Sequence, residues 1–210
     1  MAERPGRTRI RWRVIGPLAV SPSCNKKSRV PVPPIPDLAK RLLVALRALE
    51  PHDLDLLYAL ENDPVIWAVS DTLAPVSRHA LREYLKHAAA DFFEVRQLRL
   101  VIDSSEWGQS VGVVDLFNFE PLHQRAAIGI TILATERRRG YAEQTLEYLL
   151  AHARNVLHLH QLYCTVAQSN RASIRLFKKV GFRQVGVRHE WLRANTLSGW
   201  ENAVEMQLLL

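Results

Sequence analysis

The chain has 210 residues, 48% of them apolar and 23% charged, enough for one domain with a full core. No run approaches the roughly 18 consecutive apolar residues of a membrane helix. Two cysteines, Cys24 and Cys164, exclude a disulfide framework or a cysteine-rich zinc module and suit a reducing compartment such as the cytoplasm.

The net charge of +7 invites a polyanionic partner. Its distribution withdraws the invitation. Residues 1–40 hold nine Lys/Arg against two acids, and the remainder balances 19 basic against 19 acidic side chains. The body therefore has no bulk signature of binding nucleic acid or a membrane surface. Residues 1–40 also hold seven of the eleven prolines and lack a periodic apolar face, which predicts a poorly ordered extension. Three readings of it stay open: an inert extension, a mitochondrial-type targeting segment, or a basic arm.

A regular pattern starts near residue 41. Leu42–Leu49 reads as a strand, and Pro51 opens a helix with Leu54, Leu57, Tyr58 and Leu60 on its buried stripe, stopped at Asn62-Asp63-Pro64. Ser77 precedes a helix over about 78–91. Leu98–Asp103 and Ser110–Phe117 form a hairpin around Gly108, and Ala126–Ala134 is a third strand. A helix over 141–156, a strand over Gln161–Ala167, a helix over Ser169–Lys179 and strands over Phe182–Arg188 and Ala203–Leu209 complete the order. That order, β-α-α-β-β-β-α-β-α-β-β, predicts a single α/β (α+β) domain over 41–210 with a mixed central sheet and flanking helices.

The stretch 126–156 carries the clearest chemistry. The strand Ala126-Ala127-Ile128-Gly129-Ile130-Thr131-Ile132-Leu133 runs into Glu136-Arg137-Arg138-Arg139-Gly140-Tyr141-Ala142 and then a helix. A helix start offers unpaired N–H groups and about half a positive charge. Gly140 and Ala142 leave the backbone bare, and three arginines add full charges, so the turn suits a phosphate or pyrophosphate. No Lys-Ser/Thr pair follows the glycine, which excludes a Walker A loop, and one glycine is too few for a dinucleotide loop.

The spacing Arg137-x-x-Gly140-x-Ala142 resembles the pyrophosphate loop of the GCN5-related N-acetyltransferases, which use acetyl-CoA. Asn170-Arg171-Ala172-Ser173-Ile174-Arg175-Leu176-Phe177-Lys178-Lys179-Val180-Gly181-Phe182 resembles a second segment of that family, and Gly112–Ala126 one of its spermidine/diamine branch. The resemblance implies a splayed strand in which Ile130, Thr131 and Ile132 hold the pantetheine arm. It implies a pyrophosphate site at Arg137, Arg138, Arg139, Gly140, Tyr141, Ala142 and Glu143. It also implies further cofactor contacts at Asn170, Arg171, Ala172 and Phe177, and no metal.

The implied reaction is direct attack of a primary amine on acetyl-CoA in a ternary complex, with a small, diamine- or polyamine-like acceptor. A protein N-terminus or lysine is an alternative acceptor, and a non-catalytic acyl-CoA-binding domain an alternative role. Asp115 and Glu120 are the expected proton acceptors. Three departures stand out. Phe177 occupies a place where many relatives have a tyrosine acid, Asn118 and Ala127 stand where polyamine enzymes carry carboxylates, and the loop 68–76 holds one acid, Asp71. His158-x-His160 reads as a helix exit, Cys164 as core, and Trp67, Trp107, Trp191 and Trp200 as packing residues. The hairpin around Asn195–Gly199 is expected to wall the acceptor pocket or form a homo-oligomer contact.

Overall fold

Residues 43–67, 74–88, 91–106, 108–194 and 199–210 are described by a computed structural model. The extension 1–40, the acidic-loop residues 68–73, Trp107 and the hairpin tip 195–198 lie outside them.

Strand β1 (Val44–Ala48) is followed by a single turn at Pro51–Asp53 and helix α1 (Leu54–Glu61). Leu57 and Leu60 of α1 are buried, whereas Tyr58 is exposed. Asn62 ends the helix as expected, but Pro64 opens another, α2 (Pro64–Trp67), because a first-turn proline loses no helix hydrogen bond. The Ser77 hydroxyl accepts the Ala80 N–H and caps α3 (Arg78–Lys86), which stops short of residue 91. A further short helix, α4 (Phe92–Val95), is capped by Asp91.

Strands β2 (Leu98–Ser104), β3 (Ser110–Glu120) and β4 (Arg125–Ile132) form an antiparallel meander, and α5 (Tyr141–Asn155), β5 (Gln161–Ala167) and α6 (Arg171–Lys179) follow. The chain closes with the hairpin β6 (Arg183–Arg193) and β7 (Trp200–Leu209). These strands make one mixed sheet in the order β1-β2-β3-β4-β5-β7-β6. The main core joins α5 and α6 to one face through Ile128, Ile132, Leu146, Leu149, Ile174 and Phe177. A second cluster packs α1 and α3 on Val113, with Leu133 against it.

The feature that positions the site is the joint between β4 and β5. They are the parallel pair in the sheet, and they stay in register for three residues only, Arg125↔Gln161 to Ala127↔Tyr163. Beyond that point Ile128–Ile132 and Cys164–Ala167 diverge. The expected splayed strand is β4.

Candidate active site

An antiparallel ladder alternates residues that bond to the neighbour with residues that point away from it. Leu133 donates its N–H to Val111 O on the β3 side at 2.9 Å. Stepping back by twos, the backbone of Thr131 and Gly129 also faces β3, and that of Ile130 and Ile132 faces the splay. Arg137 Nε donates to Ile132 O at 3.1 Å, which agrees. Of the expected trio Ile130, Thr131 and Ile132, the N–H and C=O of Ile130 and the N–H of Ile132 face the splay, and the backbone of Thr131 faces β3.

The turn after β4 leads to α5. Arg138 (φ 64°) and Gly140 (φ 86°) both adopt the left-handed conformation, which turns the chain so that α5 starts with its first N–H groups open. Arg137, Arg138, Arg139 and Gly140 are exposed. Arg139 pairs with Glu136 at 3.2 Å. Tyr141 points into the core, its hydroxyl 3.3 Å from Ser104 Oγ, so only its backbone faces the turn. Glu143 holds Lys179 of α6 at 2.6 Å. Gln144 was not legible as important. Its buried Oε1 accepts the N–H groups of Leu43 and Val44 at 2.6 and 3.0 Å and so ties α5 to the edge strand.

Across the splay, Asn170 Oδ1 accepts the Ser173 N–H at 3.1 Å and caps α6, whose first residues are Arg171 and Ala172. The buried face of α6 is Ile174 and Phe177, and Ala172 is exposed. Phe177 is 4% exposed and meets Phe182 edge to face at 5.1 Å. No hydroxyl is available at that place.

The two expected carboxylates are separated. Asp115 pairs with Gly129, next to Ile130. It receives Arg99 Nε at 2.6 Å, and the same guanidinium reaches Glu61 at 2.7 Å. Burial works against the Arg99 charge, but Asp115, Tyr84 and Glu61 outweigh it and its pKa is raised. Burial also pushes the nearby Tyr84 phenol up, with the Arg99 charge opposing. Glu120 instead pairs with Arg125, five residues or about 17 Å along β4 from Ile130 at the usual strand rise. Its carboxylate grips Arg125 through both oxygens at 2.9 Å. Burial, with the charge of Glu120 adding, raises the Tyr163 phenol at the last β4–β5 pair, and a hydrogen bond from Asn118 opposes the rise.

Trp191 and Trp200, expected to pack, are 55% and 64% exposed near the tip end of the β6–β7 hairpin. Trp67 does pack, donating Nε1–H to Glu61 O. Cys164 is buried in the core as expected, and burial pushes its thiol up to about 12. Among the described residues no group of His, Cys, Asp and Glu could hold a metal ion, and no helix is long and apolar enough to cross a membrane.

A sheet that parts beside a basic strand–turn–helix unit meets its match in sequence: the acetyltransferase (GNAT) domain profile matches residues 44–183. The chain belongs to the GNAT acetyltransferase family. It is an N-acetyltransferase that uses acetyl-CoA, with the mixed seven-stranded sheet of that fold. It is similar to the spermidine N(1)-acetyltransferase of Escherichia coli K12, 28% identical over 168 residues, covering 78% of this chain and 84% of that one. The corresponding Vibrio cholerae enzyme is 27% identical over 144 residues, 68% of this chain and 80% of that one. A crystal structure of spermidine N-acetyltransferase from Vibrio cholerae with CoA and spermine superposes with a TM-score of 0.71 at 26% identity, covering 80% of this chain and 95% of that one. These likenesses support the spermidine/diamine branch.

Proposed function

We propose that this GNAT enzyme acetylates the primary amine of a small molecule, of the diamine- or polyamine-like class its relatives suggest, by direct attack in a ternary complex. The observation that carries the reading is the splay: β4 and β5 part after Ala127↔Tyr163 and leave the backbone of Ile130 facing the gap. Acetyl-CoA supplies the activated acetyl thioester. Its pantetheine amides fit the open N–H and C=O of Ile130 and the N–H of Ile132, as one more strand would. Its pyrophosphate fits the open N–H groups of α5 around Gly140 with Arg137, Arg138 and Arg139 around them. The cap of α6 at Asn170–Ala172 closes the opposite wall.

In this reading a backbone N–H of β4 steadies negative charge on the thioester oxygen. Asp115 receives the ammonium and takes its proton, directly or through a water. Glu120, the other expected base, holds Arg125 at the far end of β4 and is left out of the chemistry. Phe177 cannot donate a proton, so the thiolate departs unaided, which is tolerable for a thiol with a pKa near the ~8.5 of cysteine. The exposed Trp191 and Trp200 suit a homo-oligomer contact. The free thiol of Cys164 suits the cytoplasm.

The test is a screen of primary amines with acetyl-CoA, following free CoA thiol. Amine-dependent thiol release with a small amine supports the reading. Release with peptides alone would move the acceptor to a protein.

A further inference from the structure

The gap between β4 and β5 is bounded on one side by β4 alone, and what holds β4 there is its contact with β3. Gly112 of β3 lies between Ile102 of β2 and Ile132 of β4, its partners across the two ladders. Residues directly opposite in an antiparallel pair stand close together on one face. A Cβ on Gly112 would lie 2.2 Å from Thr131 O, 3.0 Å from Ile132 Cα and 3.1 Å from Ile132 Cδ1. The first two are backbone atoms, so no change of rotamer makes room. The other glycine of this ladder differs. A Cβ on Gly129 would meet only the Phe117 ring, at 3.4 Å.

To restore ordinary contact at Gly112 the two strands would have to part by roughly 1 Å. Which strand yields follows from what holds each. Strand β3 is paired to β2 on its other edge, and its Val111, Val113 and Val114 are all buried. Beyond Ala127 no described strand pairs with the other edge of β4. A side chain at 112 therefore drives β4 into the gap.

We infer that Gly112 is a positioning residue for acetyl-CoA: its missing side chain lets β3 draw β4 back from β5 and so sets the width of the gap. The inference rests on the reading that places the pantetheine arm against Ile130 and Ile132. Gly112 touches neither cofactor nor acceptor in that reading. It acts through the backbone of Thr131 and Ile132.

The experiment measures acetyl-CoA affinity by calorimetry and amide exchange of β4 by NMR in the parent, Gly112→Ala and Phe92→Leu. Phe92 stacks on Phe119 at 4.6 Å, at the opposite end of β3 from Gly112. Its variant loses core packing away from the gap. Gly112→Ala should bind acetyl-CoA at least roughly tenfold more weakly than the parent, the scale of two lost backbone hydrogen bonds. Phe92→Leu should lower Tm and bind as the parent does. In the parent, acetyl-CoA should slow exchange of the Ile130 and Ile132 N–H groups. Gly112→Ala, saturated with acetyl-CoA, should lose that protection. Parental affinity or retained protection in folded Gly112→Ala overturns the inference, and so does an equal loss of affinity in Phe92→Leu. Should Gly112→Ala not fold, Gly112→Ala with Ile132→Val decides. That pair removes the Cδ1 atom in the way and leaves Thr131 O in place. The same loss relative to Ile132→Val is expected, and equal affinities overturn the idea. If acetyl-CoA binds the parent without slowing either N–H, the placement of the pantetheine arm has itself failed.

Discussion

Asp115 and Glu120 are the same kind of acid five residues apart, yet the sheet gives them different surroundings. Asp115 sits across from Gly129 beside the splay, and Glu120 sits across from Arg125 where β4 and β5 are still joined. Asp115→Asn should therefore lower kcat/KM with a proven amine by at least about tenfold, the low end of general-base assistance. Glu120→Gln should stay within about twofold, as expected for an exposed ion pair. Equal losses in steady-state kinetics would reverse this assignment. Cys164 makes a second residue-scale prediction. Its thiol is buried and pushed up to about 12, and the thiolate is the reactive form. Alkylation at pH 8, followed by peptide mass spectrometry, should spare Cys164 in the native protein and modify it in denaturant. Rapid native modification would show an accessible thiol.

At the scale of elements, the edge strand β1 is anchored by charge. Arg47 pairs with Asp53 and Asp103, both at 2.7 Å, and Asp53 is 2% exposed. Burial alone would raise the Asp53 carboxyl, but the Arg47 hydrogen bond, the Glu50 N–H and the Arg47 charge together hold it below its ordinary value. The sign follows: this stabilisation is complete above the unfolded carboxylate value near pH ~4 and is lost as pH falls through the lower folded value. Asp53→Ala should cost about 3 kcal/mol near neutrality, the scale for orphaning one partner of a buried pair. It should also flatten the acid side of the Tm–pH curve. Parallel curves for variant and parent would contradict the anchor.

How much of this was legible follows from the range of the interactions. The strand–turn–helix unit at 126–156 is local, and its bounds match within a residue or two. The register that brings Arg99 opposite Asp115 is set by one hairpin, but a bulge at Ile102/Asp103 hides it from simple counting. Glu61 arrives from a helix 38 residues earlier, and no periodicity announces that meeting. Strands β6 and β7 extend beyond the expected 182–188 and 203–209 because their outer halves, Trp191 and Trp200 included, are exposed and broken by a bulge, with Glu190 at φ 48°, so no apolar alternation marks them. Helices α2 and α4 are too short for a period to show.

At the scale of the whole molecule, the surplus charge and most prolines sit in residues 1–40, and the acetyltransferase profile begins at residue 44. We propose that residues 1–40 are dispensable for folding and turnover. A chain beginning at Lys40 should keep both Tm and kcat, and a drop of more than several degrees by calorimetry would show that the extension packs on the domain. The central claim is narrower: the opening of β4 from β5 and the turn at Gly140 together hold acetyl-CoA. Isothermal calorimetry on the parent, Gly140→Ala and Gly140→Asp tests it most directly. Gly140 has φ 86°, so both variants put a Cβ on a left-handed backbone, which aspartate tolerates better than alanine, and aspartate alone adds a carboxylate at the proposed pyrophosphate site. The account predicts that Gly140→Asp binds acetyl-CoA at least roughly tenfold more weakly than Gly140→Ala, because like charges at a binding site cost several kcal/mol. Equal affinities in two folded variants would contradict it.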